Sequence, residues 1–156
     1  MGSAPDLPNQ VTALLAEEET VLVFTWARVQ RFGTRYMTFV PIALVIEAVD
    51  RVRNRVAMQK LRERSAGLGL PLDRNMAMCV TNKRLLVWRA SGRPRRIGSF
   101  MGEVPKSRIT SARAPYSGGG AWRTVLLRTT DPVRIRFQVD GGSAERFVSV
   151  LNQPAE

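Results

Sequence analysis

Residues 76–88 read Met76-Ala77-Met78-Cys79-Val80-Thr81-Asn82-Lys83-Arg84-Leu85-Leu86-Val87-Trp88. Two short apolar runs flank Asn82-Lys83, and Asn tolerates the left-handed backbone of a two-residue hairpin loop. The stretch predicts an antiparallel hairpin with strands at 76–81 and 84–88. The same rhythm continues downstream. Ser91-Gly92-Arg93-Pro94 is a turn, Arg96 to Gly102 a strand followed by Val104-Pro105-Lys106, and Arg108 to Ala114 a further strand. Pro115 to Gly120 is a turn with three consecutive glycines, and Trp122–Thr129 and Val133–Val139 form a last hairpin around Asp131-Pro132. In the final strand Val133, Ile135, Phe137 and Val139 alternate with Arg134, Arg136 and Gln138, so the two sets point to opposite faces. Gly142-Ser143 then cap a terminal helix with Ala144, Phe147, Val148 and Leu151 on one face.

Upstream, Asn9 is a fair N-cap for a short helix through Ala16, with Val11, Leu14 and Leu15 as its apolar stripe. Glu17-Glu18-Glu19 lead into a β-rich run, Thr20 to Trp26, which reads as the first strand. Arg28 to Thr38 is polar and reads as a loop. A long helix is predicted from about Ile42 to Ser65, with Pro41 in its first turn. Val45, Val49, Val52 and Val56 recur on one face of it, whose packing is expected to hold the helix, on the barrel or against a second copy, and Arg51, Arg55 and Arg62 lie on the other side. Gly67, Gly69 and Pro71 end it. The fold class is therefore α+β and mainly β: about seven antiparallel strands, a C-terminal capping helix and a long helix inserted after strand one. Closure into a small barrel would remove the exposed sheet edges.

The chain has 156 residues, which suits one domain able to bury a real core. It carries 24 Lys+Arg against 13 Asp+Glu, a formal net charge of +11, and 21 of the bases are Arg. It has no His and one Cys. Without His there is no Ser-His-Asp or Cys-His nucleophile system, and the commonest general base is missing. A single Cys allows neither an internal disulfide nor a Cys-rich zinc site, and the acids show no DxD pair or EF-hand spacing. Cys79 lies in an apolar run and reads as a small core residue. No catalytic constellation and no cofactor or metal site is expected. The N-terminus lacks the basic start and apolar run of a signal peptide. The most apolar stretch, Tyr36 to Ile46, is far short of the ~20 residues that span a bilayer. The expected location is cytoplasmic, with peripheral contact at a membrane left open.

Glu18-Glu19 before the first strand, and the hairpin from Ala77 to Trp88 with its Val80-Thr81-Asn82-Lys83-Arg84-Leu85 core, resemble the pleckstrin-homology (PH) superfold and, more closely, its GRAM and bacterial PH-like branches. Ile97-Gly98-Ser99-Phe100, followed by Val104-Pro105-Lys106-Ser107-Arg108-Ile109-Thr110-Ser111, is similar to the family's next strand pair, and the last strand and helix fit. The chain departs from the pattern between Val29 and Arg74, where compact members have a short loop. The resemblance implies a PH-like domain over residues 17–152 with a helical insertion at about 39–68, preceded by a tail and short helix (1–16) and followed by a tail (153–156). It implies binding of phosphoinositides, other anionic lipids or peptides rather than chemistry.

Two basic clusters are candidate anion or lipid sites. Arg93, Arg95 and Arg96 form the densest basic tip, and several bases at one tip can engage an anionic surface at ~1 kcal/mol each. Arg51, Arg55 and Arg62 lie on the basic side of the long helix; such a helix can dock on a membrane or a partner, but with the aromatic residues Phe32, Tyr36 and Phe39 upstream of it, a solvated face or a contact between copies is expected rather than membrane insertion. Arg84 in the hairpin reads as serving the fold. The leading expectation is a non-enzymatic binding domain that engages a protein partner or an anionic membrane through these Arg clusters. The alternatives are a sequence-indifferent nucleic-acid binder, from the charge and the Arg on strand faces, and a homo-oligomeric assembly module using the inserted helix.

Overall fold

The computed structural model describes residues 7–29, 51–60, 62–63, 72–91, 95–115, 120–131 and 134–155. Seven strands form one antiparallel sheet: β1 (Val21–Arg28), β2 (Asn75–Thr81), β3 (Arg84–Ser91), β4 (Arg96–Pro105), β5 (Ile109–Arg113), β6 (Trp122–Thr129) and β7 (Arg134–Asp140). Helix α1 (Asn9–Thr12) precedes them, α2 covers residues 51–60 and 62–63, and α3 (Ala144–Leu151) follows them. The rest of the helix expected over 42–65, with Pro41, Val45, Val49 and the stop at Gly67, Gly69 and Pro71, lies outside the described residues. So do most of the 28–38 loop, Gly92-Arg93-Pro94, most of the glycine turn and Pro132-Val133.

The strand order is β4-β3-β2-β1-β7-β6-β5. The sheet is thus two consecutive meanders joined where β1 pairs with β7 through Ala27↔Val139 and Arg28↔Gln138. It is open, where a closed barrel was expected: β4 and β5 are its two edges and do not pair. They are nevertheless consecutive in the chain, separated only by the 3-10 turn Lys106–Arg108. Three residues span at most about 10 Å, so the sheet coils until its edges approach each other at that corner. The main core inside the coil draws on every strand: Val23, Met78, Val87, Val104, Ile109, Leu127 and Phe137 all contribute, and α3 adds Phe147 and Leu151. Phe137 and Phe147 meet edge-to-face at 6.1 Å. The β5 edge is capped by a side chain, since Asn152 accepts from the Ala112 N–H at 2.8 Å and donates to the Ala112 carbonyl at 2.9 Å. The β4 edge is kinked instead, with register shifts against β3 on both sides of Trp88.

A second core lies on the outer face of β1–β3. Ala77, Cys79, Leu86 and Trp88 are buried there beneath Val11 of α1, with Leu7 and Leu15 packed beside it. Six consecutive residues of β2, Met76 to Thr81, are therefore buried, alternating between the two cores. That explains an apolar run in the sequence where a one-sided strand would alternate.

One ion pair organises this layer. Glu19 is buried, with its carboxylate accepting from Arg84 Nε (2.8 Å) and Nη2 (2.7 Å), Thr81 Oγ1 (2.6 Å) and the Ala16 N–H (3.1 Å). The same guanidinium donates to the Leu14 carbonyl at 2.8 Å and to Glu103 on β4. These bonds occupy backbone groups that a longer α1 would use. The helix consequently stops at Thr12 rather than running to Ala16 as expected. Pro8, not Asn9, stands at its N-cap, and its carbonyl accepts from the Val11 N–H at 2.8 Å. Arg84 thus serves the fold.

The Arg84 hydrogen bonds outweigh the effect of burial and hold the Glu19 carboxyl at about 2, below its ordinary 4.5. A carboxylate depressed by folding stabilises the fold above its unfolded pKa and loses that contribution as pH falls through its folded one. Across pH 4.5 to 2 the wild type should therefore lose about 3 kcal/mol that a Glu19→Gln variant does not. Urea denaturation of both at pH 7, 4 and 2.5 reads the difference, and equal acid sensitivity would contradict the assignment.

Candidate functional site

Apart from the Arg84 network, two groups of described basic residues stand out. The first is at the end of the sheet where β1 and β3 finish and β2 and β4 begin. Arg28 stands opposite both Asn75 and Gln138, and Ser91 opposite Arg96. Trp122 at the start of β6 faces Asp140 at the end of β7. Gly141 closes this corner: a Cβ there would lie 2.3 Å from the Gly120 carbonyl oxygen, so only glycine lets the two segments approach.

Trp26 and Trp122 are half-buried at this end and serve as guanidinium platforms. Arg28 lies 4.3 Å from the Trp122 centroid, and its Nε donates to Gln138 at 2.9 Å. Arg95 lies 5.2 Å from the Trp122 centroid and 5.9 Å from that of Trp26, and it pairs with Asp140 at 3.2 Å. Trp26, Asn75, Met76, Ser91, Arg95 and Trp122 line a cleft of about 40 Å³, well below the ~300–1,000 Å³ of small-molecule pockets. The arrangement holds positive charge in fixed positions at a surface.

Asp73, just before β2, ties α2 to this end. Its carboxylate accepts from Arg62 of α2 (3.1 Å), from Arg89 of β3 (2.9 Å) and from the Arg74 N–H (2.7 Å). Burial pushes the Asp73 carboxyl up, but the Arg74 N–H and the two guanidiniums more than offset it and leave it below the ordinary carboxylate range.

The sequence-selected residues separate accordingly. Arg95 and Arg96 flank the start of β4, and the Asp73 bridge brings Arg62 and its helix to the same end. Arg51, Arg55, Arg62, Arg95 and Arg96 are all exposed, and Arg95 and Arg62 are also held by Asp140 and Asp73. Arg93 lies outside the described residues. The expected packing of the valine stripe is not found in the described part of α2: Val52 is 62% and Val56 46% exposed.

The second basic surface was not singled out as a site from the sequence. On the outer face of β5–β7, Arg134 and Arg136 project from β7, Arg128 lies directly opposite Arg134, and Leu126 lies between Arg136 and Arg113. All five are exposed, and among the described residues no carboxylate pairs with these four arginines. Like charges directly opposite across strands are destabilising. The alternation in β7 was the available signal; what it lacked was the register that brings β5 and β6 arginines alongside.

Among the described residues no group of three His, Cys, Asp or Glu side chains is placed to hold a metal, and no helix is long and apolar enough to cross a membrane. Burial pushes the Cys79 thiol up to about 12, which keeps it protonated. In comparisons with known proteins, the chain matches no family model and no curated protein.

The Arg95–Asp140 pair is solvent-accessible on both sides, at 44% and 36%. Asp140→Asn keeps the Oδ1 acceptor that the Gly142 N–H uses and should cost less than about 1 kcal/mol in urea denaturation. A loss above ~2 kcal/mol would make the pair structural.

Proposed function

We propose that this protein is a non-enzymatic PH-like, GRAM-related binding domain that docks on an anionic membrane surface through the basic end of its sheet. The seven antiparallel strands in two meanders, followed by an amphipathic helix, support the PH-like reading. The observation that carries the membrane reading is the Asp73 bridge. It joins α2, with Arg51, Arg53, Arg55 and Lys60, to the end of the sheet that also bears Arg95 and Arg96. Two acids at this end, Asp73 and Asp140, are each already held by arginine, and Arg53, Arg55, Lys60 and Arg96 are exposed beside them. The shallow cleft suits a contact surface better than an enclosed reaction.

Basic residues near an acidic leaflet contribute about 1 kcal/mol each. Replacing Arg53, Arg55 and Lys60 by Gln should therefore weaken co-sedimentation with acidic-lipid vesicles by about a hundredfold. The wild type should pellet with acidic and not with neutral vesicles. Equal pelleting in both, or in neither, would refute the reading.

The outer face of β5–β7 favours a second reading, a sequence-indifferent nucleic-acid contact. Four arginines lie side by side there, with Arg128 opposite Arg134 and no described acidic partner. A polyanion laid along the face would relieve that repulsion. Arg128→Ala/Arg136→Ala should then lower the slope of log affinity against log salt by about 1.4–1.8, at ~0.7–0.9 per phosphate contact. An electrophoretic shift absent at low salt would eliminate this reading.

A further inference from the structure

Helix α2 faces the wrong way for a helix packed by its apolar side. At ~100° per residue, Val52 and Val56 fall within about 40° of each other, while Asn54, Ala57 and Met58 lie on the opposite side. The half-buried residues are Asn54, Ala57 and Met58; the valines are 62% and 46% exposed. The helix is thus turned with its Asn54, Ala57 and Met58 side toward the protein and Val52 and Val56 outward. Basic residues flank the stripe on both sides, Arg55 on one and Arg53 and Lys60 on the other, and all three are exposed; Arg62 is engaged by Asp73, and the stripe ends where Gln59 donates to Glu63 on the same face.

We infer that the outward Val52–Val56 stripe of α2 seats in the interfacial layer of an acidic bilayer, with its flanking bases reaching the headgroups. This rests on the membrane reading above and adds the element that penetrates. The charge selects the occupant. A second copy packed on the same stripe would set Arg53, Arg55 and Lys60 against their own images, like against like. An acidic bilayer offers apolar depth for the valines and negative charge for both flanks, which is the pattern of an interfacial helix. The Asp73 bridges to Arg62 and Arg89 hold the helix to the sheet from the C-terminal side of the stripe, so the valines stay presented when the domain docks.

Cys79 is buried, so Val52→Cys in the full chain gives a single accessible thiol for an environment-sensitive fluorophore. On acidic vesicles the probe at 52 should shift to the blue and be shielded from an aqueous quencher several-fold, with no shift on neutral vesicles. Val52→Asp/Val56→Asp should weaken acidic-vesicle co-sedimentation by about tenfold or more while leaving the far-ultraviolet circular dichroism unchanged. A protein that pellets with acidic vesicles while its probe stays aqueous would overturn this inference and leave the membrane reading standing. No pelleting at all would remove both. A blue shift that rises with protein concentration, without vesicles, would assign the stripe to a second copy and also overturn it.

Discussion

The Glu19 carboxylate sits almost out of solvent between the N-terminal segment and the first hairpin, and the arrangement around it depends on Arg84 filling that place with a paired charge. A buried carboxylate without a partner would be costly. With the partner present, one guanidinium touches the carbonyl of Leu14, the carboxylate before β1 and the carboxylate of Glu103 on β4. Thr81, at the end of β2, completes the set. The consequences are structural at each point: α1 is limited to one turn, the β2–β3 hairpin is locked at its tip, and Val11 is held down over Cys79 and Trp88. Because that cover is in place, β2 can be apolar on both faces.

From there the topology follows. A strand buried on both faces belongs in the middle of its half of the sheet, and β2 lies between β1 and β3. The three-residue turn between β4 and β5 obliges the sheet to coil, and α3 fills the inside of the coil with Phe147 and Leu151. Charge is then expelled to the ends and outer faces. At one end it is organised by Asp73 and Asp140 and by the indoles of Trp26 and Trp122; on the outer face of β5–β7 it is not neutralised by any described acid.

The alternation of β7 and the face of α3 were legible because each is a local, periodic signal with a single burial direction, and the hairpin at 76–88 because two apolar runs flank a two-residue turn signal. The run at Glu17–Glu19 marked the entry to β1, but its meaning needed Arg84, sixty-five positions away from Glu19 in sequence. Closure was misjudged because strand count does not reveal whether the last pair of edges bonds. In this chain Asn152 takes up the Ala112 backbone instead of a neighbouring strand. The break in the sequence between the expected strand 96–102 and Val104–Lys106 disappeared because the pairing with β3 runs without a shift from Gly102 to Pro105, which makes one ten-residue strand. Val52 and Val56 share one face of α2, but periodicity did not report its direction, since it is the same whether a stripe turns toward a core or away from it. Of the candidate site, Arg95, Arg96 and the helix were selected on density of charge alone. Their convergence at one end was not visible, because it runs through Asp73 and the strand register.

Hydrogen–deuterium exchange of the full chain, with and without acidic vesicles, tests the central claim most directly. The account predicts slowed exchange on vesicles in residues 51–63 and around the start of β4, with β5–β7 unchanged. Protection confined to β5–β7, or no change anywhere despite bound vesicles, would contradict it.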